Sequence, residues 1–276
     1  LQMDGSHHDW FEGRCPEAVL MAYVDDATNN VYGKFYDYEG TFPAMDSFKN
    51  YAKQYGIPQS LYIDRHSTYK STTKPTIEEE LNNTKPLSQF ERAMKELGVK
   101  VIHALSPQGK GRVERVFGTF QDRVIKEMRL KGVSSVEEGN EFLKEYLPEF
   151  NKKFGCKPMK EENLHRSMPK EKDIEDILCI KTKRTLAKDY TVSHNKKLYQ
   201  ILDKVRTKHV IVEEKLDGSI VIKHDGRNLR LLEITTRPVK VNQKIPCVYK
   251  FRSKYVPPKD HPWRRYSPSI YKRGHF

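Results

Sequence analysis

The sequence predicts an α/β fold with a mixed sheet, followed by a smaller all-β module, and three observations carry that expectation. Over residues 1–155, strand and helix patterns succeed one another as β, β-hairpin, α, β, α, β, α, α. After residue 157 the helical periodicity gives way to short alternating runs joined by turn residues. The charge divides near the same place. Residues 1–155 carry 21 Lys and Arg against 23 Asp and Glu, whereas residues 156–276 carry 29 against 14.

Each element has a local cause. "LQMDGSHHDW" reads as a strand from its first residue, and 18–40 as a hairpin turning at the Asp- and Asn-rich stretch Asp25–Asn30. Residues 41–56 read as a helix with Thr41 as N-cap, Pro43 in the first turn and Gly56 at the end. A short strand, Leu61–Ile63, runs into Asp64. Residues 70–87 are polar, with a Pro near each end and three consecutive Glu, and read as a mobile insertion with one short helix. Ser88 and Glu91 form a capping-box pattern that opens a helix over 88–98. A strand over 99–105, the loop "SPQGKG", a helix from Arg112 to Leu130 and a helix over 135–155 bent at Pro148 complete this part.

The remainder divides into a charged connector at 156–177 without much core, a small β-barrel of four to six strands within 178–243, and an extended basic, aromatic tail at 244–276. Expected turns in the barrel fall at His194–Lys196, Asp217–Gly218 and Asp225–Gly226.

The net charge of +13 points to a polyanionic partner. Nucleic acid fits better than a membrane surface, because no basic amphipathic helix with an apolar face stands out. Cys15, Cys156, Cys179 and Cys247 are scattered, with no CxxC or Cys/His ligand spacing, which argues against structural zinc or a disulfide framework and for a reducing compartment. No apolar run approaches a membrane span and no signal peptide is visible. The chain opens on Leu1 inside a strand pattern, as expected of a piece whose N-terminal part is absent.

Three acids stand where a metal site would need them. Asp4 lies in the first strand and Asp64 at the end of another. On the 112–130 helix, Val113, Val116, Phe117, Phe120 and Val124 form an apolar stripe, and Glu114 falls on its flank, within reach of strand ends. Mg²⁺ takes oxygen ligands, and two such ions sharing one carboxylate can clamp a phosphoryl displacement. Lys110, Arg112, Arg115 and Arg123 around Glu114 would then hold a phosphate backbone. Taken singly, Asp4 reads equally well as a turn cap and Asp64 as an ion-pair partner of Arg65 or Lys70. Asp25 and Asp26 read as turn residues. His7 and His8 point to opposite strand faces and read as support for Asp4 or as phosphate contacts rather than as zinc ligands. His66 and His103 read as local hydrogen-bonding residues.

"QMDGSHHDWF", "VDDATNN", "YIDRHSTY" and "SPQGKGRVERVFGTFQDRV" together resemble the DDE transposase and retroviral-type integrase family, most of all bacterial insertion-sequence transposases of the ISNCY kind. The resemblance is strong over 1–155 and continues more weakly to "PPKDHPWRR". It implies a ribonuclease H-like catalytic core, with Asp4, Asp64 and Glu114 as catalytic and metal-binding residues and Mg²⁺ or Mn²⁺ as cofactor. It implies cleavage of DNA at element ends and strand transfer into target DNA, in a homo-oligomeric complex in the bacterial cytoplasm at the nucleoid. Gln108, Lys110, Arg112 and Arg115 would contact DNA, and the β module would bind DNA and help multimerise. The aromatics Tyr249, Tyr255, Trp263 and Tyr271 would track DNA, contact a second protomer or pack onto their own chain. The interval from Asp64 to Glu114 is longer than in retroviral integrases, which the 70–87 insertion accounts for. Two other readings are weighed: a catalytically silent DNA-binding protein, against which the three acids argue, and a ribonuclease H-like nuclease on RNA–DNA hybrids, which the basic β module and tail disfavour. A metal-dependent plasmid-nicking assay separates the first, and a hybrid-cleavage assay the second.

Overall fold

The computed structural model describes residues 1–75, 77–104, 110–235 and 256–262. Residues up to 237 form one compact unit. Its central sheet holds five strands: β1 (Gln2–His8), β2 (Ala18–Val24), β3 (Val31–Tyr36), β4 (Ser60–Ile63) and β5 (Lys100–His103), in the order β3-β2-β1-β4-β5. β1, β2 and β3 are antiparallel, while β4 runs parallel to β1 and β5 parallel to β4. This is the mixed sheet that the alternation of elements predicts.

Helices cover both faces. On one side lie α1 (Thr41–Tyr55) and α3 (Gln89–Glu96), packed through Met45, Phe48, Phe90 and Met94 against Met3, Val19, Met21 and Tyr23. On the other lie α4 (Gly111–Leu130) and α5 (Val136–Phe154), packed through Val113, Phe117, Phe120, Phe142 and Phe150 against Leu20, Ala22, Val24 and Phe35. Successive strand side chains point to opposite faces. β2 is therefore apolar at every position, and all seven of its residues are buried. The helix signals in the sequence are accurate. Ser88 and Glu91 close a reciprocal capping box on α3. The α4 stripe buries Val113, Phe117, Phe120 and Val124 and extends to Ile125 and Met128. The N-cap of α1 is Gly40, one residue before the expected Thr41, and α5 continues through Pro148 to Phe154. A five-residue helix, α2 (Ile77–Leu81), lies within the 70–87 segment.

Edge strand β3 is sealed by side-chain amides from α5. Asn140 accepts from Phe35 N at 2.7 Å and donates to Phe35 O at 3.0 Å. Asn151 repeats the pattern on Val31 at 2.7 and 2.8 Å. Each Asn thereby satisfies one donor and one acceptor of a strand that would otherwise present an open edge.

The connector departs from expectation. Its helix α6 (Glu171–Ile177) sinks Ile174, with the following Leu178, completely into the α1/α3 core, so this stretch contributes core after all. Among the described residues, the β module that follows has seven strands rather than four to six: β6 (Ile180–Thr185), β7 (Thr191–His194), β8 (Lys197–Ile201), β9 (His209–Glu214), β10 (Ile220–His224), β11 (Arg227–Leu229) and β12 (Leu231–Ile234). They form a four-stranded sheet, β11-β10-β9-β6, and a three-stranded sheet, β12-β8-β7, around Val192, Tyr199, Ile201, Val210, Val212 and Ile222. The expected single closed barrel is not formed by the strand ladders of the described residues. The chain changes sheet between β6 and β7, between β8 and β9, and again at Arg230, where Leu202 N donates to Arg230 O and Arg230 N to Asp203. The turns fall where the sequence places them. Asn195 and Lys196 both have positive φ, as do Asp225 and Gly226, as two-residue hairpins require.

The module is clamped to the first layer. The Gln89 side chain exchanges two hydrogen bonds with the Lys181 backbone, and Arg92 donates to Ile177 O and Cys179 O. Asp176 pairs with Lys215 and with Lys223, the latter at 2.9 Å. Burial acts to raise the Asp176 pKa, but the hydrogen bonds from the two lysines outweigh it and hold the carboxyl at about 2. A depressed carboxyl contributes stability above its unfolded pKa that is lost as pH falls through its folded pKa. Asp176→Asn should therefore destabilise the protein at pH 7 by about 1 kcal/mol, after discounting for partial exposure. In urea unfolding, the difference from wild type should shrink as pH drops from about 4 towards 2. Asn140→Leu should cost roughly 1–3 kcal/mol by the same measurement at any pH, because it strands a backbone donor and acceptor.

Candidate functional site

β1 presents Gln2, Asp4, Ser6 and His8 to the α4 side of the sheet, as their register against Val24, Ala22, Leu20 and Ala18 of β2 requires. Gln2 is also paired with Tyr62 of β4, in parallel. Two residues further along, Asp4 lies in β1 and Asp64 just past the end of β4, and strand parity assigns both to the same face. The two carboxylates feel each other. Burial pushes the Asp4 pKa up, Lys110 pulls it down, and the charge of Asp64 raises it again, with a net upward shift.

Asp64 is fixed by its neighbours. Its Oδ1 accepts from His66 N at 2.9 Å, forming a local turn. Its carbonyl lies 3.0 Å from His103 Nδ1, and His103 Nε2 lies 2.8 Å from Glu91 Oε1. Glu91 is the capping-box residue of α3, so the start of that helix holds the imidazole that holds the Asp64 main chain. His66 and His103 thus act as the local hydrogen-bonding residues expected of them.

The start of α4 is docked on β1. Gln2 accepts from Val113 N at 3.3 Å and donates to Asp26 at 2.8 Å, and Arg112 reaches Asp26 and Asn29 in the turn between β2 and β3. The N-cap residue Lys110 sends its ammonium inward to Asp4 Oδ2 at 2.8 Å. The Lys110 side chain is only 7 % exposed and that of Asp4 17 %. Arg115 lies on the exposed face and donates to Gly111 O at 3.0 Å. Asp25 accepts from Thr28 at 2.6 Å within the turn, in the local role expected of it.

Glu114 follows the buried Val113 and is exposed on the first turn of α4. Among the described residues no group of three or more His, Cys, Asp and Glu is arranged to hold a metal ion. The structure brings Asp4 and Asp64 together, while Glu114 stands outside that pair. Gln108 lies outside the described residues, as do Tyr249, Tyr255, Trp263 and Tyr271.

Sequence reasoning missed Glu39. Its carboxylate lies 2.8 Å from His7 Nε2, 3.9 Å from His66 Nδ1 and 3.2 Å from the Tyr69 hydroxyl that donates to it. Burial, then the Glu39 charge, push the Tyr69 hydroxyl well above its ordinary pKa. Glu39 passes over Gly5, where an added Cβ would stand 3.1 Å from its carboxyl carbon. It therefore pins the strand end beyond Asp4 to the loop beyond Asp64, from the sheet face opposite the two acids. Gln2 was missed as well. Neither residue carries a periodic signal; only the register shows what each reaches.

No family model matches the chain. It is 31 % identical over 236 residues to a putative transposase, y4bF, of Sinorhizobium fredii (strain NBRC 101917 / NGR234), covering 83 % of this chain and 50 % of the relative. It is 28 % identical over 276 residues to the transposase for insertion sequence IS1202 of Streptococcus pneumoniae, covering 96 % of this chain and 57 % of the relative. The chain thus spans about half the length of the curated relatives it matches. A chain of the simian T-cell lymphotropic virus intasome, solved in complex with PP2A regulatory subunit B56 gamma, superposes with a TM-score of 0.43 at 12 % identity, covering 83 % of this chain and 76 % of that one.

If Gln2 fixes the start of α4, Gln2→Met should speed amide hydrogen exchange at Val113 by roughly fivefold, the equivalent of one ordinary hydrogen bond. Amides of β2 should be unchanged in the same experiment.

Proposed function

Related as it is to the insertion-sequence transposases, this chain carries, we propose, the catalytic part of a DNA transposase that cleaves element ends and transfers strands into target DNA. The observation that supports this reading most is that Asp4 on β1 and Asp64 at the end of the adjacent parallel strand β4 are close enough for the charge of one to act on the other. Two neighbouring carboxylates are hard oxygen donors, suited to Mg²⁺ or Mn²⁺. The cation already at Asp4, the Lys110 ammonium, marks a place where positive charge is stabilised.

Asp4 and Asp64 would hold the metal, with Glu114 as the third ligand once the first turn of α4 brings it inward. When bound, divalent metal supplies a Lewis acid for the phosphodiester oxygens. The chain's own residues do the rest. The His103–Glu91 pair keeps the Asp64 main chain in place. Glu39 ties the ends of the two acid-bearing strands together. Gln2 and Arg112 set the position of α4. Gln108, Lys110, Arg112 and Arg115 would meet the DNA backbone, and the basic β module would extend that contact. DNA is the proposed partner, with a homo-oligomer assembled on it. Acting on DNA, the protein would work in the bacterial cytoplasm, at the nucleoid. Among the described residues no helix is long and apolar enough to cross a membrane.

The test is strand transfer and metal-dependent nicking of supercoiled plasmid by the full chain. Asp4→Asn, Asp64→Asn and Glu114→Gln should each lower activity by roughly 100-fold or more while leaving DNA binding intact. Wild-type rates in any of the three would refute the assignment of that residue.

A further inference from the structure

The Asp4–Lys110 ion pair has an unusual setting. Lys110 is the N-cap of α4, where the helix dipole and its free N–H groups disfavour a cation. Its ammonium is nonetheless turned inward and almost wholly covered, with Asp4 as its acidic partner. The other basic side chains of this turn are engaged elsewhere: Arg112 with Asp26 and Asn29, Arg115 with Gly111 O. Lys110 makes no side-chain cap to the helix, so its withdrawal would leave the start of α4 intact.

We propose that Lys110 is the built-in counterion of the Asp4–Asp64 pair and leaves Asp4 when a divalent cation occupies those carboxylates, turning out to where DNA phosphates would lie. The inference rests on the metal-site reading above and deepens it. An ammonium and a divalent cation compete for the same Oδ2 lone pairs, and the two positive charges repel at that distance. Once Asp4 is otherwise neutralised, nothing offsets the cost of a buried ammonium at a helix N-terminus. Lys110 would thereby keep the acid pair from repelling itself open in the free protein and add a DNA-facing charge only when the site is loaded. It sits four residues before Glu114 on the same helix start, so the ammonium and the third carboxylate flank one site.

Lysine acylation footprinting of the full chain, read by mass spectrometry with and without Mn²⁺, tests this. Lys110 should be weakly modified without metal and several-fold more with it, while Lys34, paired with Asp46 at 2.6 Å, should not change. Asp4→Asn should make Lys110 reactive in both conditions. As a second measurement, Lys110→Met should bind Mn²⁺ about tenfold more tightly by calorimetry. A Lys110 that stays protected at saturating Mn²⁺, or a Lys110→Met variant whose affinity is unchanged or weaker, would overturn the proposal. Mn²⁺ affinity that survives both Asp4→Asn and Asp64→Asn would overturn the metal-site reading itself.

Discussion

A half-buried carboxylate beside a second acid is stabilised in its ionised form by a cation placed against it. That constraint organises this protein. The parallel run of β1 and β4 brings Asp64 near Asp4, and burial, helped by the charge of Asp64, disfavours the ionised Asp4 carboxylate. The structure answers by turning Lys110 inward from the start of α4. Gln2, Arg112, Asp26 and Asn29 hold that helix start against β1 and the β2–β3 turn, and so keep the ammonium in reach.

The surrounding fold supplies rigidity for this arrangement. β2 is buried on both faces, so the register it imposes on β1 is strongly specified: a slip by one residue would turn Asp4 towards the α1/α3 core. Side-chain amides seal the exposed sides of strands in two places, Asn140 and Asn151 on β3 and Gln89 on β6. The second of these joins the β module to α3, the helix whose capping residue Glu91 braces His103 beneath Asp64. Layer, site and β module are therefore mechanically connected through one short helix.

Much of this was legible in the sequence because it is periodic. The apolar stripe on α4, the capping box at Ser88, the wholly apolar β2 and the positive-φ turns of the β module all leave local signatures. Asp4 and Asp64 were legible as acids where strands emerge, and their placement on one face follows from strand parity once the pairing is known. What was not legible depends on long-range register. Glu39, Gln2 and the inward turn of Lys110 act across 32, 111 and 106 positions of chain. The core contribution of Ile174 and Leu178 was overlooked because their i, i+4 spacing spans a single helical turn in an otherwise charged connector. The split of the β module into two sheets depends on where the chain changes sheet, between β6 and β7, between β8 and β9 and at Arg230, which turn residues alone do not specify.

Anomalous diffraction from crystals grown with Mn²⁺ addresses the central claim most directly. The account predicts a manganese peak between the Asp4 and Asp64 carboxylates, with the Lys110 ammonium moved off Asp4. Manganese bound elsewhere, with Lys110 still seated on Asp4 at a saturating concentration, would contradict it.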